Sequence, residues 1–165
     1  MKGGFVMQDY SFVWNQYDMI RGMFLEGLSK TSEQEAEIVP AGFKNNIHWN
    51  IGHILLTQDY LLFGPAEMKC PPSYAALFSP GTKPADWQGD VPSIEELAAQ
   101  LKEQHARVKE QLQTKLNDPL PKPFQLGDKG VMNTYGEMMV FTLFHEGMHI
   151  GTISALRKAI AHSNA

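Results

Sequence analysis

Four stretches of this 165-residue chain repeat apolar residues at three- and four-residue steps, and no stretch alternates apolar with polar residues convincingly enough to predict a strand. The first begins after Asp9, a candidate cap, and carries Phe12, Trp14, Tyr17, Ile20, Phe24 and Leu28. The second, over residues 46–63, carries Trp49, His53, Leu56, Tyr60 and Phe63 and stops at Gly64-Pro65. The third opens with Ser93 and Glu96 at the spacing of a reciprocal capping box and continues through Leu97, Leu101, Val108, Leu112 and Leu116. The fourth is capped by Asn133 or Thr134, with Glu137 three residues after Thr134. Its stripe is Met138, Thr142, His145, His149, Thr152 and Leu156, and it runs to about Ala161 with Arg157 and Lys158 at its negative pole. Four such helices and no internal repeat predict an all-α fold, a four-helix bundle.

The stretches between them are punctuated by proline and glycine. Residues 31–40 are polar and acidic and end in Pro40. Residues 117–132 hold Pro119, Pro121, Pro123, Gly127 and Gly130 and read as a connection. Residues 65–92, with five prolines after Pro65, match neither a helical nor a strand template. A connection this long predicts a crossover between the second and third helices that closes one end of the bundle, anchored by Tyr74, Phe78 and Trp87. Residues 1–165 are expected to form one domain, with 1–8 a flexible leader in which Met7 offers an alternative start.

Composition narrows the function classes. The net charge of −4, the pI near 5.8 and the scattering of the basic residues argue against a nucleic-acid partner. No apolar run approaches the ~20 residues of a spanning helix, because His53, Gln58 and Asp59 interrupt the longest candidate, so no membrane partner is expected. The single cysteine, Cys70, has no internal disulfide partner, and no secretory signal pattern is present; a reducing cytoplasm is the expected location. Cys70 itself, beside Pro71 and without a nearby base in sequence, reads as an incidental thiol.

Chemistry concentrates in the histidines. His145 and His149, four residues apart, project from one face of a helix about one turn apart and can converge on one ion. His53 lies within an aromatic and apolar stripe; alone it reads as a hydrogen-bonded core histidine, and beside the other pair it becomes the third ligand. Three neutral imidazoles suit zinc, nickel or another borderline divalent ion and leave a coordination position open. His105 leans toward the core from the edge of the third helix, a lesser candidate ligand, and Thr57 and Tyr60 fall one or two turns beyond His53, where they serve packing or support a ligand. His145-Glu146-x-x-His149 also matches the zinc-peptidase motif whose glutamate activates water. The glycine expected three residues after the second histidine is replaced by Thr152, and no acidic residue follows Glu146. About 100° around the helix from His145, Glu146 is then expected to face solvent or a subunit neighbour.

The segments Trp49-Asn50-Ile51-Gly52-His53-Ile54-Leu55 and His145-Glu146-Gly147-Met148-His149-Ile150-Gly151-Thr152-Ile153 resemble the two signatures of the DinB-like metal-binding four-helix bundle superfamily, and Ser93-Ile94-Glu95-Glu96-Leu97 resembles the start of its third helix. The resemblance covers nearly the whole chain from the first helix onward. It implies a divalent metal held by His53, His145 and His149, a homodimer, and kinship with transferases that use low-molecular-weight thiols such as bacillithiol or mycothiol. The expectation is a metal-dependent S-transferase joining such a thiol to a small electrophilic substrate. The alternatives are a metal-dependent hydrolase with Glu146 as base and a non-enzymatic metal-binding stress protein. No residue of the sequence identifies the thiol, the electrophile or a catalytic side chain.

Overall fold

The computed structural model describes residues 9–163, with side chains through 162, so the leader lies outside the described residues. The order of elements is α1 (Ser11–Leu28), α2 (Glu33–Glu37), α3 (Ile47–Glu67), α4 (Tyr74–Phe78), α5 (Ile94–Leu112), β1 (Pro119–Gln125), β2 (Val131–Thr134) and α6 (Tyr135–Ser163). The long helices α1, α3, α5 and α6 form the predicted bundle. Their starts follow the cap signals. Asn46 Oδ1 accepts from the Trp49 amide at 2.8 Å, Ser93 and Glu96 close a reciprocal box, and Thr134 and Glu137 exchange bonds of 3.2 and 3.1 Å. At α1 the Ser11 amide donates to Asp9 Oδ1 at 2.8 Å.

Two apolar clusters fill the bundle ends. One gathers Leu28, Ile47, Ile94 and Ile160; the other gathers Val13, Leu62, Leu112 and Met138. Hence α1 and α6 run in one direction and α3 and α5 in the other. Two parallel helices in succession require the chain to return the length of the bundle, which is why residues 68–93 are so long.

This return is stapled to α3. The Phe78 ring lies so close to Gly52 that a Cβ there would be 2.5 Å from ring carbons, so only glycine permits the contact. Trp49 Nε1 donates to Thr82 Oγ1 at 2.8 Å, Trp87 Nε1 donates to the Leu77 carbonyl at 2.9 Å, and His48 Nε2 donates to the Pro92 carbonyl at 2.7 Å. Tyr74 and Phe78 are buried and Trp87 packs against them, as expected of anchors.

Several local expectations are corrected. The return is not wholly irregular: it holds α4 and a single 3-10 turn, Pro84–Asp86. The second helix resumes after Gly64, whose φ of 68° marks the break, and continues through Pro65 to Glu67. Residues 31–40 contain α2, capped by Ser32. Residues 119–134 form an antiparallel hairpin rather than a plain connection. Prolines two apart place their missing donors along one strand edge, which a two-stranded hairpin tolerates. In α1, Phe12 is 60% exposed, and the buried face is instead Val13, Tyr17, Arg21, Phe24 and Leu28. Thr152 is likewise exposed rather than part of the buried stripe of α6.

Candidate metal centre

The structure brings His53 of α3 together with His145 and His149 of α6, each offering a ring nitrogen, with these atoms all within 4.8 Å of one another. Their environment decides which nitrogen each ring presents. His53 Nδ1 is 2.7 Å from the Phe78 carbonyl, which only accepts, so Nδ1 carries the proton and the neutral ring turns a bare Nε2 inward. His149 Nδ1 is 2.7 Å from Asn50 Oδ1. The Asn50 amide cannot be reversed without losing the 2.7 Å bond from its Nδ2 to the Asn46 carbonyl, so Asn50 accepts and His149 also presents a bare Nε2. Bonds of this kind are how protein ligands are oriented for metals. The Trp49 indole stacks on His53 with ring centroids 4.5 Å apart and an interplanar angle of 11°, locking its plane.

Burial keeps the cluster neutral. Loss of solvent, then the neighbouring rings, pushes His149 down to about 3; the same causes, with His53 as the neighbour, push His145 down to about 4. His53 is also lowered by burial, against the bond to Phe78. Neutral imidazoles are the ligand form. The residues fit an ion: His53 Nε2 and His145 Nε2 stand 3.2 Å apart, close to the ~3.3 Å between two nitrogens in a tetrahedral site with bonds of 2.0–2.1 Å. His53 is buried while His145 and His149 are half-buried, so the cluster lies between α3 and α6 with one side toward the surface.

Glu146 does not face solvent or another subunit. It is 1% exposed and points into the bundle, where Arg21 Nε donates to Oε1 at 2.8 Å and Arg21 Nη2 donates to Oε2 at 3.0 Å. Arg21, itself fully buried, also donates to the Leu101 carbonyl at 2.8 Å and to Gln58 Oε1 at 2.9 Å, with Gln104 Oε1 at 3.3 Å. Tyr17 O–H donates to the same Gln58 oxygen at 2.9 Å. The 100° turn from His145 to Glu146 leads into the core because α6 is covered on that side by α1, whose Arg21 meets the carboxylate. A carboxylate with both oxygens held by one guanidinium is ill placed to take a proton from water at the histidines. The sequence reasoning missed Arg21 and Asn50. Arg21 had left a signal, a lone charge four residues after Tyr17 and three before Phe24 on an apolar stripe.

The remaining candidates separate from the cluster. His105 pairs with Asp18 Oδ1 at 2.8 Å on the α1–α5 side, His48 bonds the return segment, and His162 is exposed at the end of α6. Thr57 Oγ1 lies 3.4 Å from His53 Nε2, at the edge of the centre, whereas Tyr60 is half exposed. Cys70 is buried, and burial with the adjacent Asp59 carboxylate pushes its thiol far up, the opposite of an activated nucleophile.

Comparison with known proteins agrees with this architecture. The model of the DinB superfamily matches residues 16–153, a span containing all three histidines. No curated protein matches the chain. A crystal structure of a conserved protein from Enterococcus faecalis superposes with a TM-score of 0.67 at 16% identity, covering 95% of this chain and 99% of that one, a likeness of fold. Among the described residues, no helix is long and apolar enough to cross a membrane.

Proposed function

The chain belongs to the DinB superfamily, and from that premise we propose that it is a metal-dependent S-transferase, joining the sulfur of a low-molecular-weight thiol such as bacillithiol to a small electrophile. The observation that carries the metal is the convergence of the three rings, two of them with Nδ1 tied to an acceptor and two of them half-buried. Zinc or nickel suits three neutral imidazoles. A divalent ion held there supplies Lewis acidity that favours the thiolate form of a bound thiol.

The chain's own groups define the rest of the reading. Phe78, Asn50 and Trp49 hold the rings in place, and Thr57 presents a hydroxyl at the edge. The only cysteine is buried and disfavoured as a thiolate, so the sulfur comes from a cosubstrate. In the transfer a new carbon–sulfur bond forms, the electrophile loses its leaving group, and the thiol proton passes to solvent. A cytoplasmic location, where such thiols are kept reduced, accords with the single unpaired cysteine. The hydrolase alternative would need Glu146 as base, and the Arg21 clamp speaks against it.

The test has two stages. Elemental analysis of purified protein is expected to find about one divalent ion per chain, lost in His53→Ala, His145→Ala and His149→Ala and kept in His105→Ala and His162→Ala. Metal-loaded protein with bacillithiol and monobromobimane should then form the thioether faster than free metal and thiol do. No acceleration would remove the transferase reading while leaving the metal centre standing.

A further inference from the structure

On the side of the bundle away from the histidines, α3, α5 and the start of the return enclose a cavity of about 400 Å³. Leu55 and Asp59, which line it, lie roughly 200° and 240° around α3 from His53, so the cavity belongs to the opposite face of that helix. Its volume falls in the range of small-molecule sites, and its floor is already held in place. Asp59 is saturated: Oδ2 accepts the amides of Lys69 at 2.6 Å and Cys70 at 2.9 Å, and Oδ1 accepts from Arg107. Gln104 is saturated as well, donating to the Leu55 carbonyl at 2.9 Å and accepting from Arg21.

Two groups on the walls are not satisfied. Gln100 Oε1 and Arg107 Nε are buried without a hydrogen-bond partner among the described residues. Such atoms are rare in folded chains, and each calls for an explanation beyond the protein's own bonds. Two of them around one cavity set it apart from a packing gap. Arg107 is otherwise fixed: its guanidinium carbon lies 3.7 Å from the Phe63 ring centroid, and Nη2 donates to Asp59. Its side chain is still 14% exposed, so part of the guanidinium is within reach of a ligand.

The charges around the cavity say what fits it. Arg107 and Asp59 cancel, and exposed Lys69 adds a positive charge at the same end. Seven residues further toward the start of α5, about 10 Å of helix, Gln100 offers an acceptor, and exposed Glu103 follows it by one turn. One end asks for a negatively charged acceptor and the other for a positively charged donor, with Leu55 and Pro71 as apolar wall between them. A dianion would set negative charge against Glu103, and a diamine would set positive charge against Lys69.

We infer that this cavity binds a small apolar zwitterion, its carboxylate on the Arg107 guanidinium and Lys69, its ammonium between the Gln100 amide and Glu103. That chemistry is shared by a free α-amino acid and a dipeptide. One extended residue spans about 3.5 Å and two span about 7 Å. With a hydrogen bond of about 3 Å at each end, the two lengths bracket the roughly 10 Å between the anchors. The inference stands apart from the metal reading, because the cavity and the histidines lie on opposite faces of α3.

The test is a residue-resolved NMR titration of the full chain, as purified, with L-leucine and with glycyl-L-leucine. At least one should give saturable shifts of the Cys70, Gln100 and Arg107 amides, and the tighter of the two fixes the length of the ligand. 4-Methylpentanoate, which lacks the ammonium, and 3-methylbutylamine, which lacks the carboxylate, should each bind about tenfold more weakly or worse. Arg107→Lys keeps a charge beside Asp59 but removes the planar fork, and should weaken binding about tenfold or more. If circular dichroism shows that variant unfolded, the exposed pair Lys69→Gln and Glu103→Gln decides instead, with a several-fold loss expected. No saturable shift with either zwitterion overturns the site, and so do shifts confined to the surroundings of His53, His145 and His149. Equal binding of a one-charge analogue, or unchanged affinity in the folded variants, overturns the assigned chemistry.

Discussion

His145 and Glu146 are consecutive residues whose surroundings differ in nearly every physical respect. The histidine turns toward two other imidazoles, with one ring nitrogen of each within 4.8 Å of the others and the rings kept neutral by burial. The glutamate turns to a core where Arg21, Gln58, Gln104, Tyr17 and a backbone carbonyl form a closed polar network. A saturated buried network specifies how helices pack, whereas three converging neutral imidazoles suit a cation. One step of about 100° along the helix thus separates a packing network from a candidate metal centre.

The largest expected effect breaks the structural side. Arg21→Met leaves the Glu146 carboxylate buried without its partner, and denaturant unfolding should register a loss of about 3–5 kcal/mol. The double variant Arg21→Met and Glu146→Leu should recover much of that loss, whereas His149→Ala in the metal-free protein should cost far less than Arg21→Met. Equal losses for Arg21→Met and His149→Ala would erase the distinction.

Gly52→Ala probes the link between packing and site. The added methyl displaces the Phe78 ring and with it the carbonyl that fixes His53. Chemical denaturation should show a destabilisation of about 1–3 kcal/mol, accompanied by weaker zinc binding in competition with a chromophoric chelator. Destabilisation with unchanged affinity would separate the Phe78 carbonyl from the centre.

Asn50→Ala acts on the chemical side alone. Without its carbonyl, His149 is free to adopt the other tautomer, and zinc affinity should fall about 10- to 100-fold with the fold retained by circular dichroism. Titration of Asn50→Ala with the same chelator gives the answer directly.

A pH dependence tests the histidine side from another direction. His145 and His149 are held at about 4 and about 3 in the folded chain, whereas an unfolded imidazole titrates at about 6.5. The unfolded state therefore takes up protons first, and the metal-free protein should lose stability progressively as pH falls from about 6.5 toward 4. Replacing both rings by alanine should flatten that slope in thermal melts; a slope that persists belongs to other groups.

How much of this could be read in the chain depends on the range of the interactions. The long helices announce themselves through near-neighbour chemistry, the caps at Ser93 and Thr134 and the period of the apolar stripes, because those bonds span three or four residues. The hairpin over residues 119–134 was hidden because its prolines imitate a disordered connection. The direction of Glu146 was hidden because a helical angle places a side chain only relative to its own helix. Which side is core depends on where α1 and α3 lie.

By itself the sequence determined the four helices, the need for a long return between the second and third, and the pair His145 and His149 with His53 as their companion. Those follow from local periodicity and from the scarcity of reasons to put three histidines on apolar stripes. Only the tertiary structure decided that Phe78 and Asn50 set the tautomers of His53 and His149, that Arg21 holds both carboxylate oxygens of Glu146 inside the bundle, and that Phe12 and Phe144 lie outside the core. Each of these joins residues at least 25 positions apart or turns on which neighbour covers a face, and such relations exist only once the helices have packed.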